Sequence, residues 1–579
     1  MRTWFSQDIF PKDISPKTIR LFWCSSFDPN IVSDDLLHFE AQGHRTMWDM
    51  SLVEKLTQCN LPTDQYPEVL IAFVLLLALA GTFWLWTRED ESAVPYTVDV
   101  PHQCLSGWDG ELLKEPSLKA PGTTLIQCYC PANGKLLGTV NPASTTAIDR
   151  AIAKAQEAQV EWAKTGFAQR RRVLQSLLRH ILENQTSIST AACLDSGKTR
   201  IDSSFGEILV TVEKLKWTIL HGEKALRSER RPTNLLMCYK ANEVRWEPLG
   251  VVAACVSWNY PFHNLMGPII SAIFAGNGIV IKGSENTAWS TTYFTNIIRL
   301  ALQACGHSPA LVQPIICWPS VAPHLTSHPG ISHITFIGSR SVAYAVATSA
   351  AKSLTPVCVE LGGKDAAVVL DDVTDIKKVA SILLRGVFQS AGQNCIGIER
   401  IVACQGIYHQ LVKILEPRVK SLRLGSALDE GGDDVDVGAM ISSNSFDRLE
   451  QLIVDATNRG ARCLVGGNRY THPRYPQGHY FTPTLLVDVT PDMAIAQEET
   501  FAPICLVMKA RDVDDAIRIA NSTRYGLGAS VFGRSQRDLE RVVKSSKTGM
   551  VSVNDFAVYY AVQLPFGGVK GSGKSYLQS

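Results

Sequence analysis

Cys395, in GQNCIG, and Glu360, in VELGGK, are the two side chains of this sequence best suited to covalent chemistry. A thiol attacks a carbonyl carbon once its proton is taken, and Gly392 and Gly397 leave room around the sulfur. Glu360 ends an apolar run, where partial desolvation raises a carboxyl pKa and makes it a base near neutral pH. The two lie too far apart in the chain to touch by local geometry, so a fold must bring the end of a strand, at Glu360, back to the loop after a helix, at Cys395. Taken alone, Cys395 is better explained as a buried structural cysteine.

Asn259, in SWNYPFHN, follows an apolar strand. Its amide N–H, with the backbone N–H of Cys395, is what a tetrahedral oxyanion requires, although asparagine before a turn is also common for conformational reasons. Trp258 beside it lines the cofactor and substrate region or packs in the core. Gly338 and Ser339 lie where the strand ITFIG runs into a helix, whose N-terminus can receive a pyrophosphate. Near the C-terminus, residues 568–575 fit GxxxxGK[ST], but no buried strand leads into them and no helix has room to follow, so a nucleoside-triphosphate loop is rejected. No cysteine and histidine cluster has metal-ligand spacing, and no metal is expected.

The elements that must position these residues follow from the hydrophobic pattern. Short apolar runs (VVAACVSW, GIVIKGS, LVQPIIC, ITFIGS, AAVVLDD) alternate with helical segments, which implies an α/β protein with a largely parallel sheet covered on both faces. LIQCYCPANGKLLGTV reads as a hairpin, and residues 144–185 and 205–228 carry helical periodicity, with Thr145 or Thr146 as N-cap. A second block (RIVACQ, RCLVGG, YFTPTLLVDV, APICLVMKA, GASVFG) repeats the alternation. The 579 residues suit two or three domains. With a net charge of +1 there is no basic excess to hold a polyanion, so nucleic acid is not an expected partner. The 15 cysteines read as reduced, cytosol-facing thiols. Residues 69–86 comprise 18 uncharged residues ending in tryptophans, a helix of roughly 27 Å against a ~30 Å hydrocarbon core, and are expected to anchor the chain in a membrane.

With these motifs in order, the chain from about residue 118 onward resembles the NAD(P)-dependent aldehyde dehydrogenase superfamily, and is most similar to its membrane-anchored fungal and plant type. The resemblance implies a Rossmann-like cofactor domain and an α/β catalytic domain, preceded by one transmembrane helix. The expected division is an arm at 1–66, a transmembrane helix at 67–87, a linker at 88–117, an NAD-binding domain at 118–363, a catalytic domain at 364–550 and a return segment at 551–579 that looks truncated.

By resemblance Cys395 is the nucleophile, Glu360 activates it or the deacylating water, and Asn259 holds the oxyanion. Lys282 and Glu285 hold the adenosine ribose, where a carboxylate repels a 2′-phosphate and favours NAD over NADP. Glu499 binds the nicotinamide ribose, and Phe501 packs near the ring. Gly283 stands where the family has proline or a small apolar residue, and is expected to loosen its loop. Ala343 and Ala502 replace family glycines. An aldehyde, lipid-derived if the anchor places the site near a bilayer, is the expected substrate. The catalytic part is expected to face the cytosol from a single-pass anchor, at the endoplasmic reticulum. A homo-oligomer is the family's habit, and the short C-terminus also admits a membrane-tethered inactive scaffold.

Overall fold

The structure, a computed structural model, describes residues 71–79, 90–120, 122–428, 434–556 and 558–573. Residues 71–79 form a helix. The rest of the apolar stretch 69–86, like the arm at 1–66, lies outside the described residues. No helix among the described residues is long and apolar enough to cross a membrane.

Two hairpins precede the first large sheet. Strands β1 (Ile126–Tyr129) and β2 (Leu136–Val140) pair antiparallel around the Pro131–Gly134 turn, where Gly134 takes a φ of 75°. Strands β3 (Glu229–Arg231) and β4 (Asn242–Val244) form the second, with Leu235 and Leu236 87% and 85% exposed at its tip. The helix Thr145–Trp162 is capped one residue earlier than expected: Ser144, not Thr145 or Thr146, accepts from the Ala147 N–H.

The first large sheet contains β5 (Val251–Cys255), β6 (Gly278–Lys282), β7 (Val312–Ile315), β8 (Ile334–Ile337) and β9 (Val357–Glu360), all parallel, in the order β7-β6-β5-β8-β9. Alternate residues face opposite layers, as the two-residue period of a strand demands. Val252, Ala254, Ile279 and Ile281 pack with the helices Phe167–Glu183, His263–Phe274 and Ala288–Ala304, while Val251, Ala253 and Val280 pack with Thr145–Trp162 and Arg340–Ala350. The chain leaves β5 in one direction through β6 and β7, then crosses to β8 on the other side. That reversal opens a crevice at the carboxyl ends of β5 and β8, the place where open α/β sheets bind ligands.

The second sheet holds β10 (Asp365–Val369), β11 (Ile398–Cys404), β12 (Arg462–Val465), β15 (Thr484–Val487), β16 (Ile504–Ala510), β17 (Gly528–Phe532) and β18 (Met550–Val553), in the order β12-β15-β16-β11-β10-β17-β18, while β13 (Arg469–Tyr470) and β14 (Tyr480–Phe481) pair antiparallel on their own. Within the second sheet only β12 runs antiparallel to its neighbour. The run AAVVLDD, grouped with the preceding apolar runs by its pattern alone, belongs to this second sheet as β10. Glu360 thus ends the last strand of one sheet, and Asp365 opens the first strand of the other.

Candidate active site

Glu360 is 2% exposed at the end of β9. Its backbone is fixed from two sides: the Gly338 N–H donates to its carbonyl at 3.1 Å, and Gly573 bridges to it from the glycine-rich segment. The next residue, Leu361, donates to Ser572 O at 3.0 Å, so the C-terminal motif acts as a strap over the strand end. Burial pushes the Glu360 carboxyl up to about 7, against the opposing pull of hydrogen bonds from the Cys395 thiol and the Gly362 N–H. Cys395 is half-buried and lies within electrostatic reach of the Glu360 carboxyl. Burial, and then the Glu360 charge, raise the thiol well above its ordinary range.

The Cys395 loop follows the helix Ile376–Phe388, whose Val379, Leu383, Val387 and Phe388 are buried on the expected helical spacing. The helix stops because Ser390, Ala391 and Gly392 take φ of 54°, 56° and 71° in succession. Left-handed backbone at two non-glycine residues is costly, and surrounding bonds must hold it. Ser390 Oγ donates to Tyr260 Oη at 3.2 Å, and Gln393 Nε2 donates to Ser390 O at 3.1 Å while its Oε1 accepts from the Ile441 N–H at 2.9 Å. Gly392 is obligatory for a second reason: a Cβ there would lie 2.1 Å from Ala502 O.

Asn259 is buried and reaches this loop by donating from Nδ2 to Gln393 O at 3.1 Å, while its Oδ1 accepts from Ser257 Oγ at 2.7 Å and Asn264 Nδ2 at 3.2 Å. Those two acceptor bonds fix which way the amide points. A buried ion pair holds its backbone. Lys198 Nζ lies 2.5 Å from Glu207 Oε1 and donates to Asn259 O at 2.7 Å, and Glu207 Oε2 accepts from the Phe262 and His263 N–H groups at 3.1 and 2.9 Å. Glu207 sits in a π-helical turn, Ser204–Leu209, which re-aims it before the helix Val210–Ala225 begins. A cavity of about 300 Å³ opens beside Glu360 and Cys395, walled also by Tyr260, His263, Asn264 and Phe566. Asn259 itself is not in that wall.

The remaining expected residues lie at the crevice. Lys282 ends β6, and its Nζ is 3.1 Å from Glu285 Oε2. Gly338 follows β8, and Ser339 caps the helix Arg340–Ala350 without a side-chain cap bond, which leaves the first-turn N–H groups open to an anion. Trp258, three residues beyond β5, meets the Phe501 ring edge-on at 5.7 Å. Phe501 is set by a φ of 51° and by donating its N–H to Glu399 Oε1 at 2.9 Å. Glu499 is half-buried and accepts from the Gly363 N–H at 3.1 Å, and burial, then the charge of Glu399, push it up to about 8. Gly362 has a φ of 73°, and a Cβ on it would lie 2.2 Å from Glu499 Oε1. These residues fit a dinucleotide: a paired lysine and carboxylate at a strand end, an open helix N-terminus and two facing rings. Gly283 does not loosen its turn. A Cβ there would lie 2.7 Å from Thr291 Oγ1 and 2.8 Å from Ile316 Cδ1, so the glycine permits close packing.

Sequence reasoning gave no role to the charged residues that hold the site together. Lys364 and Glu399 form a buried pair at 2.5 Å, Arg400 donates to Lys364 O, Ile519 O and Ala520 O, and Lys198 and Glu207 were equally unassigned. The signal was present: each is an ionisable residue inside a run that must be buried, and such residues need partners.

Strand order, and the crevice at the carboxyl ends of β5 and β8, place this chain among the open α/β folds that bind ligands at a switch point of the sheet. It belongs to the aldehyde dehydrogenase family, whose model matches residues 118–578. It is 55% identical over 451 residues to the aldehyde dehydrogenase-like protein C21C3 of Schizosaccharomyces pombe, covering 78% of this chain and 86% of that one. Among solved structures it is similar to a Mycobacterium tuberculosis aldehyde dehydrogenase complexed with NAD+ (28% identity, TM-score 0.73, 81% of this chain and 94% of that one). It is equally similar to an Escherichia coli NADP-dependent enzyme (28% identity, TM-score 0.73, 81% and 94%).

Proposed function

We propose that this protein oxidises an aldehyde to a carboxylic acid through a thiohemiacetal and then a thioester on Cys395, with NAD as preferred acceptor. The Cys395 thiol and the buried Glu360 carboxyl, on the wall of one cavity and within electrostatic reach of each other, carry this reading. Because its surroundings hold the thiol protonated, sulfur does not wait as a thiolate. Its proton passes to Glu360 as the bond to the carbonyl carbon forms. The second N–H of the Asn259 amide and the Cys395 backbone N–H are assigned to the oxyanion.

Lys282, Glu285, Gly338, Ser339, Trp258, Glu499 and Phe501 are the residues that would hold the dinucleotide. When bound, it supplies the hydride acceptor that takes two electrons and a proton from the substrate carbon. Glu360, having released its first proton to solvent, then takes one from the water that attacks the thioester, which frees the acid and restores the thiol. Preference for NAD rests on Glu285, whose carboxylate opposes a 2′-phosphate.

The same reading attaches the enzyme to a membrane through residues 69–86, at the endoplasmic reticulum with its catalytic part in the cytosol. It rests on their uncharged sequence and on the scattered spacing of the cysteines, which suits a reducing compartment. It also assembles copies through the β3–β4 hairpin, supported by the exposed Leu235, Leu236 and Tyr239. The test is an aldehyde panel with NAD and with NADP, following reduced dinucleotide and acid together. Equimolar acid and NADH is the expected result, and no aldehyde-dependent reduction of either dinucleotide would overturn it.

A further inference from the structure

Among the described residues three lysines are buried: Lys198, Lys214 and Lys364. Two have a carboxylate at 2.5 Å, Glu207 for Lys198 and Glu399 for Lys364. Lys214 has none. It is 6% exposed on the helix Val210–Ala225, no carboxylate lies within salt-bridge distance of it among the described residues, and its side chain lines the cavity that holds Cys395 and Glu360. A buried ammonium without a partner is expensive, and burial holds the Lys214 pKa down to about 8, so the side chain still carries its charge at neutral pH, facing a cavity that a ligand's anionic group can enter.

Its neighbours suit an anion. Thr211, one turn earlier on the same helix face, meets His263 Nδ1 at 3.0 Å. Burial, with the charges of Lys214 and Lys198, holds His263 neutral by pushing its pKa down to about 3. In the tautomer that accepts from Thr211 at Nδ1, His263 keeps an Nε2–H to offer beside the ammonium. His263 and Tyr260 are adjacent turns of one segment, and Tyr260 lies within electrostatic reach of Cys395. The cavity wall therefore leads from a cation at Lys214 to the nucleophile, past apolar residues such as Ile337 and Ile396.

We propose that the substrate is an oxo-carboxylate, an aldehyde whose distal carboxylate pairs with Lys214 and His263 while its carbonyl reaches Cys395. This rests on the aldehyde-oxidising reading above and specifies its substrate class. The lysine contributes binding and orientation and takes no part in bond making.

The experiment compares kcat/KM for ω-oxo-carboxylates of increasing length with straight-chain aldehydes of equal length, in wild type, Lys214→Met and Lys214→Arg. Loss of one partner of a desolvated charge pair predicts a wild-type preference for the oxo-carboxylate of about 30-fold or more, erased in Lys214→Met mainly through KM and partly kept in Lys214→Arg. Replacing an unpaired buried ammonium by an apolar side chain of similar volume is expected to leave or raise the unfolding temperature. Calorimetric titration with α,ω-dicarboxylates, the corresponding products, reads the anion site without turnover, and Lys214-dependent binding is expected. Turnover of neutral aldehydes with no oxo-carboxylate preference overturns the proposal alone. Absence of turnover with every aldehyde defeats the dehydrogenase reading, and the titration then decides the anion site: binding that vanishes in Lys214→Met sustains it, and no binding overturns it.

Discussion

Lys364 Nζ lies 2.5 Å from Glu399 Oε2 in the interior, joining the loop that follows Glu360 to the strand that follows Cys395. Glu399 also accepts from the Thr500 and Phe501 N–H groups, so one carboxylate sets three segments of the site. Lys364→Met leaves that carboxylate buried without its cation, a change that costs about 3–5 kcal/mol. Denaturant unfolding of the purified variant checks this. An unfolding midpoint equal to that of wild type would show that the pair does not hold the loops.

Glu360 should impose its titration on the rate. A base must be unprotonated, so kcat/KM is expected to rise with pH through about 7 and then level off. Glu360→Gln should lower kcat by about 10²–10⁴ and flatten that rise. The stability effect runs the other way. The folded carboxyl keeps its proton to higher pH than the ordinary value of 4.5, so its contribution to stability is present below that range and is lost as pH rises through about 7. Parallel pH series of rate and thermal unfolding separate the two.

Dinucleotide choice is expected to turn on Glu285. In Glu285→Ser the carboxylate that opposes a 2′-phosphate is gone, and Lys282, its partner at 3.1 Å, is released to face one. The ratio of kcat/KM for NAD to that for NADP should fall about tenfold, the worth of one charge-assisted hydrogen bond. An unchanged ratio would place the discrimination elsewhere.

Much of the framework was legible in the sequence because strands buried on both faces read as unbroken apolar runs: β5, β6, β7 and β8 fall where VVAAC, GIVIK, VQPI and ITFI stand. What periodicity cannot carry is partnership. Which sheet β10 joins depends on where the chain reverses, a property of the whole topology. Gly283 was misread because its neighbour Thr291 comes from the following helix, a contact that no local pattern announces. Cys395 and Glu360 were found through their motifs, but the strap that Ser572 and Gly573 lay across the end of β9 joins segments more than 200 residues apart, which no local pattern announces. The buried pairs Lys198–Glu207 and Lys364–Glu399 are separated in sequence, and each charge becomes intelligible only beside the other.

Cys395→Ser tests the central claim most directly. The variant keeps the shape of the site but replaces the nucleophile by a hydroxyl that the adjacent carboxylate cannot readily deprotonate. The measurement is aldehyde-dependent NADH formation by wild type and Cys395→Ser under identical conditions, with dinucleotide binding followed by fluorescence to show that the site is intact. Loss of turnover with binding retained is the expected result, and full NADH production by Cys395→Ser would contradict it.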